Sequence, residues 1–428
     1  MSPTSADAQR GSGDARPALS RLLGSGSAEP SAATDVETFA ADYWSTRPLL
    51  TRGAGDFSDL FDSAAVDELV ADRGLRTPFV RMAREGSVLP ASRFTSSGGF
   101  GAEIGDQLDS AKVLAEFAAG TSLVLQGLHR TWEPIARFTR ALVADLGHPA
   151  QVNAYITPAS SRGFDPHYDT HDVFVIQIAG EKRWRIHEPV HEDPLADQPW
   201  SDHREAVGER AGGEPYIDAV FRPGDVLYLP RGWIHSAVAQ GGTSIHLTIG
   251  VRATTRDDVL RRLLALAAGD VELRRSLPLG VDYTDPAALA DVIDATRAAA
   301  ARAMGAVDDR AVADDLQRGF VPSVRPAPVR PLATVDLLAD LDPSTAVRWR
   351  DGLRARVVDD PDLVRILLPH ATVSLPVEAS TAVHALQDTG HRPGAGLAAG
   401  ALPALDPASS LVVARRLLRE GVIVPIGR

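Results

Sequence analysis

Histidines and aspartates alternate at the entrance to an apolar run. Asp165, His167, Asp169 and His171 open "DPHYDTHDVFVIQIAGEKRWRIHEP", which extends from Asp165 to Pro189. Polar groups at the mouth of a buried strand cost desolvation unless something pairs them, and a metal ion is one such partner. In a strand, residues i and i+2 point to the same side, so His167 and Asp169 present an imidazole and a carboxylate to one point. A third donor comes from "FRPGDVLYLPRGWIHSA", in which Pro223-Gly224-Asp225 makes a turn, "VLYL" a strand, and Pro230-Arg231-Gly232 a tight loop that delivers His235. Two imidazoles and one carboxylate on one face of a divalent ion leave three positions open, the facial arrangement of non-haem iron(II) oxygenases. The same residues have a plainer reading. The chain has 12 histidines, and His167 and Asp169 would equally cap a strand through hydrogen bonds, with His235 in a loop. His171 and Asp172 are neighbouring competitors, and His171 reads as a residue behind the ligands or facing a substrate.

The stretch "AGEK" reads as a hairpin turn leading into "KRWRI", where Lys182, Trp184 and Ile186 share a face. On a barrel interior Lys182 would be a buried ammonium needing an anion. A solvent-facing hairpin lysine is the commoner alternative.

The elements that must carry these groups are short apolar runs between about 121 and 251: "SLVLQGL", "QVNAYITP", "DVFVIQIAG", "KRWRIHEP", "DVLYLP" and "SIHLTIGV". Several are continuously apolar, as strands buried on both faces would be, and their number and turn signals point to a sandwich or barrel. Before them, "DVETFAADYWSTRPLLTRG" predicts an amphipathic helix ending by Arg47-Pro48. Residues 1–34, rich in Ser, Gly, Pro and Ala, read as a disordered tail. After the strands, Thr254 and Thr255 offer a cap for "VLRRLLALAAG", and Asp285-Pro286 opens "DPAALADVIDATRAAAARAM" as a helix start. "SVRPAPVRP" reads as a linker, followed by helices near 334–340, 344–355 and 360–368 and two more in "EASTAVHALQD" and "SSLVVARRLLREG".

The chain has 428 residues, too many for one ordinary core, so two or three domains are expected. Lys and Arg total 44 against 56 Asp and Glu, a net charge of −12. Such a surface repels a phosphate backbone and favours basic partners, which argues against general nucleic-acid binding. Cysteine is absent, which excludes disulfides and thiolate metal sites. With no signal-peptide pattern and no apolar run approaching the roughly 20 residues of a membrane span, a cytoplasmic protein without a membrane partner is expected.

Taken together, "NAYITPASSRGFDPHYDTHDVFVIQIAGEKRWRI", "PGDVLYLPRGWIH" and the earlier "FAADYWSTRPLL" closely resemble the JmjC/cupin-type ribosomal oxygenases, which are Fe(II)- and 2-oxoglutarate-dependent hydroxylases of ribosomal proteins. The resemblance implies an α+β fold: a double-stranded β-helix (cupin/JmjC jelly roll) over 35–255, a helical dimerisation region over 256–322, and a winged-helix-like domain over 323–428. It assigns metal ligation to His167, Asp169 and His235. It makes Lys182 the partner of the distal carboxylate of 2-oxoglutarate, with Asn153, Tyr155 and Thr248 lining the same pocket. Some members carry Ser where this chain has Gly250, so one contact to the cosubstrate would be lost or taken over by Thr248. It also implies a homodimer that hydroxylates an arginine or histidine of a basic, ribosomal protein. Two rivals stand beside it: a non-catalytic cupin-type metal-binding or interaction protein, and a cupin enzyme that does not use 2-oxoglutarate. The C-terminal segment from Pro326 to Arg428 carries 11 basic and 11 acidic residues. This balance, with the apolar residues of "VARRLLREG", favours a packed helix over a DNA-reading one.

Overall fold

The computed structural model describes residues 17–24, 34–84, 86–101, 103–159, 165–390, 392 and 394–426. The chain divides between Ala253 and Thr254 into two compact units.

The first unit is built on antiparallel strands: β1 (Leu49–Thr51), β2 (Val80–Arg84), β3 (Ser122–Leu125), β4 (Ala150–Thr157), β5 (Asp172–His187), β6 (Ile217–Phe221), β7 (Val226–Leu229) and β8 (Ile234–Val251). Their order is β1-β7-β5-β8-β4-β3-β2, with β6 also on β5. The strands β5 and β8 pair twice. Asp172–Gln177 runs against His246–Val251, and Glu181–His187 against Ile234–Gln240, with a register shift between. Two long bent strands therefore serve both layers of a double-stranded β-helix.

The "AGEK" stretch is accordingly not a hairpin turn. Gly180 lies inside β5 at the corner where the strand changes layer, with φ +63°. A Cβ there would sit 2.2 Å from the Thr243 carbonyl oxygen, so only glycine permits the two strands to cross this closely.

The apolar runs are buried on both sides, as read. Val173 and Val175 join Trp184, Ile186, Leu227, Leu229 and Trp233 in the barrel interior. Their neighbours Phe174 and Ile176 pack outward with Tyr228, Leu247 and Ile249 against the preceding helices. One of those helices corrects the tail reading. Residues 1–16 and 25–33 lie outside the described residues, but Pro17–Leu22 is helical. Leu19, Leu22 and Leu23 are buried at helical spacing, and the amides of Ala18 and Leu19 donate to Asp145 Oδ2 at 2.9 Å. The "DVETFAADYW" helix spans Val36–Asp42, capped by Asp35.

The second unit opens with Arg256–Ala267, closed by a Thr255/Asp258 capping box. Pro286–Gly305 follows, with Asp285 as its cap, and then Asp309–Phe320. Two of the helices expected beyond the linker are strands instead. Ala346–Trp349 pairs with Leu397–Ala398 and Ile423–Pro425, and Arg356–Asp359, Leu363–Leu367 and Thr372–Pro376 form another three-stranded sheet. Val347 with Trp349, and Val364 with Ile366, are buried at alternate positions, so the governing period there is two. Among the described residues, no helix is long and apolar enough to cross a membrane.

Candidate metal and dicarboxylate site

His167 and Asp169 do not lie in β5. They occupy the extended segment before it, held by a two-way bridge in which His235 N–H donates to the His167 carbonyl at 2.8 Å and His167 N–H returns to the His235 carbonyl at 3.2 Å. The first residues of β8 are thus tied to the "PHYD" segment, which brings His235 beside residues 68 and 66 positions earlier in the chain. One ligand atom from each of His167, Asp169 and His235 falls within 4.8 Å of the others. His235 Nε2 lies 3.8 Å from Asp169 Oδ2, and the two imidazole centroids are 4.4 Å apart.

Each ring is oriented from behind. His167 Nδ1 meets the Asp165 carbonyl at 2.7 Å, and His235 Nδ1 meets the Trp233 carbonyl at 3.2 Å. With Nδ1 engaged as donor, each Nε2 carries the lone pair a metal needs. Burial, reinforced by the neighbouring His167, pushes the His235 pKa down to about 4, so its ring is neutral at pH 7. Burial pushes the Asp169 carboxyl up, but the imidazoles of His235, His171 and His167 together with Arg81 outweigh it and hold the group below its usual range. Two imidazoles and one carboxylate converging on a point fit a divalent cation.

The same cavity contains Lys182, together with Tyr155, Thr157, Trp184, His246 and Thr248. As the alternation predicted, Lys182, Trp184 and Ile186 face in while Arg183 and Arg185 face out. Lys182 is 3% exposed. Its Nζ donates to Thr157 Oγ1 at 3.1 Å, and among the described residues it has no carboxylate partner. Burial lowers its pKa to about 7. An ammonium kept this dry is stabilised by an anion delivered from outside.

Tyr155 and Thr248 line the cavity as expected. Asn153 is not among the lining residues; its Oδ1 accepts from the Gly127 amide at 3.0 Å. The place near Gly250 is taken by His171, whose Cδ2 and Nε2 would lie 2.6 Å from a Cβ at 250. Asp172 points away from the ligands and accepts from Tyr228 Oη at 2.9 Å. Sequence reasoning passed over His246 and Thr157. His246 stacks on Tyr155 at 5.0 Å and 3° and stands edge-on to Trp184 at 5.3 Å. Its buried Nδ1 has no hydrogen-bond partner among the described residues. The parity of Ser244, His246 and Thr248 was the available signal, because three polar residues on one face of an otherwise apolar strand require a polar interior.

The JmjC domain family matches residues 128–259. The chain is 28% identical over 277 residues to the bifunctional lysine-specific demethylase and histidyl-hydroxylase NO66 of Drosophila persimilis, which covers 58% of this chain and 35% of that protein. It is 36% identical over 185 residues to human ribosomal oxygenase 1, covering 40% and 28% respectively. The chain therefore spans only about a third of the length of these curated relatives. Among solved structures, Escherichia coli ycfD aligns over 92% of this chain and 98% of its own with a TM-score of 0.52 at 20% identity. The ribosomal oxygenase YcfD in complex with cobalt and succinic acid aligns with a TM-score of 0.51 at 19% identity, covering 92% and 99%. The JmjC domain expected from the motifs is thus the one matched, over residues 128–259.

Proposed function

We propose that the chain is an Fe(II)- and 2-oxoglutarate-dependent dioxygenase that hydroxylates an arginine or histidine side chain of a protein, a ribosomal protein being the substrate class. One observation carries the reading: the His167/Asp169/His235 cluster shares a cavity with a buried ammonium that has no anionic partner among the described residues. A metal-binding module without catalysis has no use for Lys182 there, nor does a cupin enzyme that dispenses with a keto-diacid. His167, Asp169 and His235 would hold the metal. Lys182, assisted by Thr157 and Tyr155, would hold the distal carboxylate, with Thr248 on the adjoining wall. Fe(II) and 2-oxoglutarate, when bound, supply oxidative decarboxylation, in which O2 and 2-oxoglutarate become succinate and CO2 while one oxygen atom enters a substrate C–H bond. The chain's own work is to orient the partners and keep water out. Trp184 and the apolar residues around it line that dry chamber.

A net charge of −12 supports a basic protein partner through electrostatic steering. A homodimer is part of the proposal. Leu260, Leu264, Val271, Leu277 and Ile293 in the first part of the second unit are large apolar residues left exposed. Residues 323–428 are read as a winged-helix-like domain with a structural or substrate-presenting role, and the protein as cytoplasmic.

The test is incubation with Fe(II), 2-oxoglutarate and a panel of basic ribosomal-protein peptides. Succinate release and a 16 Da mass increase on one peptide are expected. Iron binding with neither product across the panel would instead favour a rival reading.

A further inference from the structure

Behind the ligand cluster lies a second polar assembly that binds nothing in the reading above. Asp172 is fully buried. Its Oδ1 accepts the Arg231 amide at 3.0 Å and its Oδ2 accepts Tyr228 Oη at 2.9 Å, while the Arg231 guanidinium stands 3.7 Å away. That guanidinium also donates to Ser45 Oγ at 3.1 Å and pairs with Asp193 at 3.0 Å. Tyr228 Oη in turn accepts the Ser45 amide at 2.9 Å. The carboxylate thus holds Tyr228 and Arg231, and through them the segments of Ser45 and Asp193.

What Asp172 grips is the loop that builds the metal site. One residue beyond Arg231, the Gly232 amide donates to the Asp169 carbonyl at 3.0 Å. Gly232 adopts φ +87°, and a Cβ there would lie 2.8 Å from the His191 carbonyl oxygen. One residue further, the Trp233 carbonyl receives His235 Nδ1. Loop 230–233 thus touches two of the three ligands, and the Arg231 amide ties it to Asp172. A carboxylate is a costly way to fill a core, and an apolar residue of similar volume commonly does so at no loss of stability. Its use here makes sense where exact placement of the loop matters more than stability.

We propose that Asp172 is a positioning residue for the metal centre, setting loop 230–233 and through it the side chains of Asp169 and His235. The inference rests on the reading of those residues as metal ligands. Its test uses the full chain and Co(II) as the probe, followed by calorimetry and by the visible absorption of the bound ion. The metal-free protein's thermal midpoint is recorded alongside. Asp172→Asn keeps the shape but sets an amide NH2 against one of the two donors. It is expected to lower Co(II) affinity on the order of 10–100-fold, the usual scale for groups that orient ligands, and to alter the visible spectrum. Tyr228→Phe is expected to lower affinity less and to add nothing when combined with Asp172→Asn. A lowered midpoint with Co(II) affinity within about twofold and an unchanged spectrum would overturn the proposal, leaving Asp172 a fold residue. Should Asp172→Asn show no cooperative unfolding transition, Tyr228→Phe decides on the same criterion. Failure of the unaltered protein to bind Co(II) would overturn the metal reading as well, a result distinct from a variant that binds normally.

Discussion

Lys182 is the side chain on which residue-scale expectations turn. Its pKa of about 7 is depressed from 10.5 by burial. Between those values the unfolded chain binds more protons than the folded one, so stability rises with pH across that window and is lowest below about pH 7. An anion at Nζ raises the folded pKa again. Binding of 2-oxoglutarate is therefore expected to take up a proton above pH 7 and to weaken as pH rises further. Calorimetry in buffers of differing ionisation heat measures both; pH-independent affinity from 7 to 9 would place the anion elsewhere. Lys182→Met is expected to weaken 2-oxoglutarate binding by about 2–5 kcal/mol, with the metal-free protein's thermal midpoint unchanged or higher. Asp169→Ala is expected to abolish turnover and sharply reduce Fe(II) retention, read by metal analysis after desalting. The three ligand candidates and Lys182 were legible because their residue types are expensive at apolar positions. His246 was legible only through its shared parity with Ser244 and Thr248, and Thr157 was not, since a lone threonine in a strand is compatible with many surroundings until its cavity is seen.

At the scale of elements, the legible features were those with an unambiguous period or cap: the doubly buried strands, the Thr255 and Asp285 caps, and the inward face of Lys182, Trp184 and Ile186. What escaped was continuity. Gly180 reads as a turn in isolation, and only its contact with Thr243 across the barrel reveals a strand passing from one layer to another. Gly180→Ala is expected to cost about 2–4 kcal/mol, as a buried backbone clash at positive φ does, visible in denaturant unfolding with the m-value retained. Short strands such as Ala346–Trp349 were mistaken for helix because four residues are too few to separate a period of two from one of 3.6.

For the whole molecule, the proposed capture of a basic peptide would depend on ionic strength, given the net charge of −12. KM for such a peptide is expected to rise from low to physiological salt, where screening shortens to about 8 Å, with kcat unchanged. If the exposed leucines of Arg256–Ala267 cover one another between two copies, Leu260→Glu with Leu264→Glu yields a monomer in sedimentation velocity. Composition bears on the buried ammonium in another way. Lys112 and Lys182 are the chain's entire complement of lysine, arginine supplying every other fixed cation. Isotopic enrichment of that one amino acid would reduce the side-chain amine spectrum to two resonances, one from a surface helix and one from the chamber. The titration of a single hidden nitrogen would then be readable directly, without a mutation.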